Sequence, residues 1–330
     1  MTNRRNSRRA GFRTLAVACF AVFLLSAALL LLRLWDKQQG RFPVVDQPLD
    51  TTVEHNGKKY ALKEDVETFM VLGLDQFEAD AQPDSYNNNK RADFVMLLVF
   101  DKAAQKCSVL HINRDTMTRV NVLGVAGQRV DTVTAQLALA HTYGNGREVS
   151  CRNTADAVSS LLHGMRINHY ISFTMDAVPV YNDLVGGVEV EVLHDFTGVD
   201  PSLVRGERVI LRGNQALTYV RSRSGVDDSS NLSRMKRQRQ YLEALYDKTR
   251  IVAADDAFVV DAALKMGEYI VSDRSVTQLE DILRRISTYG FDEFITLEGR
   301  TETGSDFLEF YPDEDRLMDT IIRLFYTEKS

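Results

Sequence analysis

The segment Phe94-Val-Met-Leu-Leu-Val-Phe100 does most to limit what this chain can fold into. Seven consecutive apolar residues are closed off by Asp93 and Asp101. A run this short and uniform lacks the alternation of a half-exposed strand, and charges bound it too tightly for a helix. It reads as a central strand covered on both faces. Such a strand needs a layer above it and another below. Phe69-Met-Val-Leu-Gly-Leu reads as a second buried strand that delivers Asp75 at its C-terminal end, and Cys107–Ile112 as a third, ending at Asn113-Arg114-Asp115-Thr116. Val188-Glu-Val-Glu-Val alternates as a half-exposed strand should, and 293–298 is a further strand candidate. Before these, Asn56-Gly57 between two strand-like runs predicts a type I′ hairpin. Helices are predicted over 132–143, 154–163, 176–184, 256–270, 275–288 and 313–326. A short one starts near Arg212, and another runs from Arg234 to about Arg250. No internal repeat or low-complexity tract interrupts this order. The expected fold class is α/β, an α/β/α sandwich with a mixed central sheet, as one domain over 51–330.

The N-terminus obeys a different logic. Residues 1–13 contain Arg4, Arg5, Arg8, Arg9 and Arg13 and no acid; the rest of the chain holds 35 basic against 46 acidic residues. Thr14–Leu32 is 19 residues without a charge, long enough as a helix to cross the hydrocarbon core. The expected division is a cytoplasmic tail (1–13), a transmembrane anchor (14–33), a linker with two prolines (34–50) and an extracytoplasmic domain (51–330). The arginines hold the N-terminus in the cytoplasm. A cleaved signal peptide is the rival reading, but Ser26-Ala27-Ala28 lies inside the apolar run, with more leucines after it. The expected location is therefore the plasma membrane, with a single pass. An acidic domain outside the membrane is a poor partner for nucleic acid. ATP is scarce there too, so its chemistry must draw on a substrate that is already activated. Cys19 falls in the anchor. Cys107 and Cys151 either form a disulfide or remain two buried thiols, and their spacing does not separate the alternatives.

Against this acidic background the basic residues cluster. Tyr219-Val-Arg-Ser-Arg223 is predicted to be extended, which would turn Arg221 and Arg223 to one side. In the following helix Arg234 and Gln238 share a face, with Arg237 and Tyr241 beside them. Brought together, the two sets form a fork-shaped cationic pocket suited to phosphate or pyrophosphate. Asp75 and Asp93 sit at strand ends next to a polar loop (76–90), where paired carboxylates can hold a hard divalent cation. Arg91 and Arg114 stand at neighbouring strand ends. Taken singly, each feature has a plainer reading: loop-capping acids, a solvated strand edge, the polar face of an amphipathic helix. Taken together they suit phosphoryl transfer, in which cations neutralise phosphate oxygens and a carboxylate accepts the proton of an incoming hydroxyl. Neither a G-x-S-x-G nor a Walker A motif is present, and the histidines and cysteines show no metal-ligand spacing.

The motifs Leu72-Gly-Leu-Asp75, Arg91-Ala-Asp93, Ile112-Asn-Arg114-Asp-Thr, Leu184-Val-Gly-Gly-Val, Ala216-Leu-Thr-Tyr-Val-Arg221-Ser-Arg223 and Arg234-Met-Lys-Arg237-Gln238 follow one another in this order. In this the chain resembles the LytR-CpsA-Psr family, over roughly residues 50–250. The resemblance implies an α/β/α sandwich whose apolar channel holds a polyprenyl chain and whose arginine rim holds its pyrophosphate. It implies transfer of a teichoic acid or capsular polysaccharide from an undecaprenyl-pyrophosphate carrier to peptidoglycan of a Gram-positive wall. A phosphodiester to a muramic-acid hydroxyl would form, with magnesium assisting. By the same resemblance Asp75 and Asp93 would hold magnesium, and Arg91, Arg114, Arg221 and Arg223 would bind the phosphates. Arg234 and Gln238 would complete the head-group pocket, and Asp75, Asp93 and Arg114 would be the catalytic set. Two positions depart from the pattern: Asn113 stands where proline is frequent, and Asn231 where aspartate is common, with Asp228 as a candidate substitute. A carrier-sensing regulatory or scaffold protein and a lipid-pyrophosphate hydrolase remain the alternatives.

Overall fold

The computed structural model describes residues 51–76, 90–227, 229–304 and 307–329. The expected tail, anchor and linker, most of the 76–90 loop, and Asp228 lie outside the described residues. Among the described residues no helix is long and apolar enough to cross a membrane.

The chain opens with β1 (Thr52–His55) and β2 (Lys58–Leu62), the expected hairpin. Asn56 and Gly57 both take positive φ, 50° and 72°, as a type I′ turn requires. Next come β3 (Val66–Leu74), β4 (Phe94–Asp101) and β5 (Lys106–Ile112), then a ribbon of β6 (Met117–Leu123) and β7 (Arg129–Gln136). A 3-10 turn over Leu137–Thr142 leads into α1 (Glu148–Leu161), β8 (His169–Thr174) and α2 (Ala177–Leu184). After β9 (Val188–Glu191) and β10 (Arg208–Leu211) come α3 (Asn214–Arg221), α4 (Asn231–Val252) and α5 (Asp256–Met266). The remainder is β11 (Ile270–Ser272), α6 (Val276–Thr288), β12 (Gly290–Thr296), the hairpin β13 (Gly299–Thr303) and β14 (Leu308–Pro312), α7 (Glu314–Phe325) and β15 (Tyr326–Glu328).

Six strands form the main sheet in the order β11-β8-β3-β4-β5-β12, with β3–β8 and β5–β12 parallel and the other pairs antiparallel. The expected mixed sheet is present, and its centre is the pair β3–β4, as their apolar runs require. Gly73 in β3 faces Phe94 of β4, where a Cβ would come within 2.9 Å of the Phe94 Cβ. A larger residue would push these two strands apart.

The two faces of the sheet are unlike. On one, Met70, Leu72, Leu97 and Leu110 are wholly buried in a core with Val158 of α1 and Ile321 of α7. On the other, Val71, Met96, Ile171 and Phe173 are only half-buried, although they lie mid-sheet beneath α4, α5 and α6. Alternation along each strand sends neighbouring residues to these two different environments. Cys107 belongs to the second face and Cys151 to the first; both are buried and free, so of the two alternatives the separate thiols hold.

Two expectations of secondary structure fail. Residues 132–143 are not a helix: up to Gln136 they belong to β7, paired residue for residue with β6. The β-branched residues Val130, Thr132, Val133 and Thr134 suit that ribbon, and tertiary pairing outweighs the local apolar spacing. Tyr219–Arg221 is not extended either, since Arg221 closes α3. That helix starts after Gly213, at φ 47°, and buries Ala216, Tyr219 and Val220 on one side.

Candidate functional site

Because β3, β4 and β5 run antiparallel in succession, the end of β3, the start of β4 and the end of β5 meet at one edge of the sheet. Asp75, Asp93 and Arg114 gather there. Behind this edge, between the half-buried face and α4 to α6, lies a hollow of about 780 Å³, a size typical of ligand pockets. Its walls include Val71, Met96, Ile171 and Phe173 from the sheet and Leu245, Leu279 and Ile282 from the helices. At the sheet edge it is lined by Asp75, Asp93, Arg221, Arg223, Arg234 and Gln238. Six of the eight residues singled out in the sequence therefore border one cavity. Arg114 reaches it through Asp93, whose Oδ1 lies against Arg114 Nη1. Arg91 stands outside the lining, exposed, with its guanidinium 5.4 Å above the Phe307 ring.

Arg221 and Arg223 converge on the hollow by a route the sequence did not indicate. Arg237, expected beside Arg234 on the pocket face, is 1% exposed and turned toward the end of α3. Its Nε donates to Tyr219 O at 3.0 Å and its Nη2 to Ser222 O. Gln238 Nε2 donates to Val220 O at 3.1 Å. These side chains satisfy carbonyls that the last turn of a helix leaves without partners. They fix the point at which the chain leaves α3 and so aim Arg221 and Arg223. Gln238 both borders the hollow and serves this purpose.

The charges are closely spaced. Arg221 Nη2 pairs with Asp75 Oδ1 at 2.8 Å, both side chains being more than half exposed. Arg114 also meets Asp115 Oδ1 at 3.3 Å. Burial lowers the Arg114 pKa against the attraction of Asp115, with Arg223 and Arg91 adding to the depression. Arg234 is 6% exposed. Burial, with Arg223 and Arg114 close by, brings it down to about 10. Guanidiniums so crowded and desolvated suit an anionic ligand. Arg234 Nε is buried without a hydrogen-bond partner among the described residues.

A magnesium ion would find oxygen donors only. Among the described residues no group of three or more His, Cys, Asp or Glu is arranged to hold a metal ion by itself. Asp75 and Asp93 border the same opening, and Asp93 Oδ1 is buried without a well-aligned hydrogen bond. Two carboxylates with further ligands drawn from phosphate and water are a usual magnesium arrangement, so the residues fit.

What sequence reasoning missed is a buried polar bracket behind the arginines, made of Asn113, Asp115, Gln136 and Asn231. Its longest-range contact joins residues 118 positions apart, and no spacing rule reveals such a pair.

The LytR_cpsA_psr family profile matches residues 44–288, most of the chain. The protein belongs to this family. Its relatives include proteins named polyisoprenyl-teichoic acid–peptidoglycan teichoic acid transferase TagU. That of Halalkalibacterium halodurans is 26% identical over 238 residues, covering 71% of this chain and 68% of the relative. That of Enterococcus faecalis is 27% identical over 197 residues, 60% of this chain and 59% of the relative. Among solved structures, B. subtilis TagV superposes with a TM-score of 0.60 at 21% identity, covering 80% of this chain and 97% of that one. A structure described as TagT bound to LI-WTA gives 0.60 at 20% identity, with coverage of 85% and 93%. The α/β architecture with its mixed sheet is thus that of the LytR_cpsA_psr proteins.

Proposed function

We propose that this protein transfers an anionic glycopolymer of the teichoic-acid or capsular class from a polyprenyl-pyrophosphate carrier to peptidoglycan. The observation that carries the reading is the continuity of a greasy hollow with a ring of arginines at its open edge. A ligand matching both parts has a long hydrocarbon tail and a compact polyanionic head. The names of the TagU relatives support the teichoic-acid class of cargo.

In the proposed reaction Arg114, Arg221, Arg223 and Arg234 bind the diphosphate, with Arg91 beside Arg114 at the rim. The oxygen of an acceptor sugar hydroxyl attacks the phosphorus that bears the glycopolymer. The bond from that phosphorus to the bridging oxygen breaks, and polyprenyl phosphate leaves with the bridging oxygen's electron pair. The hydroxyl proton passes to a carboxylate, Asp75 or Asp93, and a phosphodiester joins glycopolymer to acceptor. Fixed guanidiniums stabilise charge that spreads over the phosphoryl oxygens, where most of the barrier is lowered. Magnesium, when held by Asp75 and Asp93, would supply further positive charge to the phosphate oxygens. The uncharged run Thr14–Leu32 and the arginines before it support anchoring in the plasma membrane with the catalytic domain outside.

The test is the purified full-length protein with a lipid-pyrophosphate-linked glycopolymer, magnesium and peptidoglycan fragments. Polyprenyl phosphate is expected only when acceptor is present, together with a phosphodiester-linked product. Release without acceptor assigns a hydrolase instead. Bound donor that never turns over assigns a carrier-sensing protein.

A further inference from the structure

We propose that Asn231 is a positioning residue for head-group recognition, a neutral amide held between Arg234 and Asp115 that sets the Arg234 guanidinium at the edge of the hollow. The inference rests on the phosphate-binding reading above.

Asn231 is the first residue of α4, following the N-cap Ser230, and is 6% exposed. Its Nδ2 donates to Asn113 Oδ1 at 2.9 Å and to Asp115 Oδ2 at 3.1 Å, while its Oδ1 accepts from Arg234 Nη2 at 2.6 Å. Asn113 Oδ1 also accepts from the Asp115 backbone N at 3.0 Å, closing the turn that presents Arg114. The other Asp115 oxygen takes Arg114 Nε at 3.3 Å and Gln136 Nε2 at 3.1 Å. One amide thus joins the two arginines through a single carboxylate. The two departures from the family pattern are hydrogen-bonded to each other.

The chemistry of this position is narrow. A cation on one side calls for an acceptor, and a carboxylate on the other calls for a donor; a primary amide supplies both and its orientation is thereby fixed. An ionised aspartate would serve Arg234 but stand beside Asp115, and two carboxylates so close cannot both ionise freely. A leucine would serve neither. With Nη2 tied back, the buried Nε of Arg234 is left for an acceptor that a ligand brings.

Two variants and two readouts test this. Nitrogen-15 NMR of arginine side chains, without ligand, should show hindered rotation of the Arg234 Nη groups in the wild type and its loss in Asn231→Leu. Calorimetric titration with farnesyl pyrophosphate as probe should show binding weakened roughly tenfold in Asn231→Leu. In an Arg234→Ala background the same substitution should change binding less than twofold. Asn231→Asp, which preserves shape, should weaken binding at neutral pH and recover it as the pH falls relative to wild type. Once protonated, the introduced carboxyl can again donate to Asp115 while accepting from Arg234, which Arg223, Arg114 and Arg237 also crowd; on the α4 side Asp227 accepts from Ser233. A folded Asn231→Leu with unaltered Arg234 signals, an equal loss in both backgrounds, or an Asn231→Asp profile parallel to wild type would each overturn the proposal. Wild-type protein that binds no farnesyl pyrophosphate refutes the phosphate-binding reading instead, and the ligand-free NMR comparison still decides whether Asn231 positions Arg234.

Discussion

Val71 and Leu72 are adjacent in β3 yet face a hollow and a packed core respectively, so the same enlargement should have opposite effects at the two sites. Leu72 is wholly buried among side chains. Replacing it with phenylalanine forces extra volume into a filled space and should cost about 1–3 kcal/mol. Val71 borders about 780 Å³ of unfilled volume. Val71→Phe should add about 1–2 kcal/mol, because roughly four extra carbons become half covered at ~0.8 kcal/mol each. Binding should move the other way. A ring in the hollow displaces about one five-carbon isoprene unit, which forfeits roughly 4 kcal/mol, about a thousandfold in Kd. Denaturant unfolding reads the first quantity. Calorimetry with a long-chain prenyl pyrophosphate reads the second, with inorganic pyrophosphate as a control that should bind both proteins alike. If Val71→Phe destabilises as much as Leu72→Phe, the hollow is not free space. If it binds the long-chain ligand like wild type, the tail lies elsewhere.

Arg223 is exposed, and its guanidinium makes no ion pair among the described residues; Arg223→Ala should keep stability within about 0.5 kcal/mol while lowering transfer about a hundredfold or more, and full activity would remove it from the site. Arg114→Ala differs, because it strips the counter-charge from Asp93 and Asp115, and should lower stability by roughly 3 kcal/mol in addition to abolishing transfer. Burial raises Asp156 to about 7, against the pull of Arg129 and Arg152. A carboxyl raised on folding is harmless below its unfolded pKa and costs stability as the pH climbs through the folded value. Asp156→Asn should therefore gain about 1–3 kcal/mol at pH 8 and nothing near pH 3, read by melting curves at each pH. Burial pushes Cys107 and Cys151 up to about 12, so native protein should leave both unalkylated and its melting temperature should ignore reductant; a linked peptide in a non-reducing digest would contradict this.

The central strands were legible because their apolar runs are bounded by charges, and the charged ends mark where each run stops. The arginine site was legible as composition, since six of the residues it needed do meet. Its construction was not. Alternation of Arg221, Ser222 and Arg223 looks like a strand, but the turn at Gly213 and the buried face of α3 decide for helix, with Arg237 and Gln238 setting the exit. The ribbon β6–β7 escaped notice because pairing across a hairpin, and not local periodicity, determines residues 129–136. The hollow itself has no signature. Met96 and Leu97 look equally like core residues, and which of them lacks neighbours depends on how far α4 to α6 stand from the sheet. The short strands β10, β11 and β15, of three or four residues without the clean alternation of β9, carry no period of their own.

A protein built around unfilled apolar space has a thermal behaviour set in part by what it meets. Any amphiphile that enters the hollow and not the unfolded chain raises the melting point by mass action, about 2.7 kcal/mol at a hundredfold excess over Kd. A detergent monomer, with one chain and a small polar head, qualifies as a counterfeit. If the proposed polyprenyl carrier occupies the hollow, the choice of solubilising agent during isolation decides whether it stays in place. Stabilities measured in two different detergents would describe two different complexes.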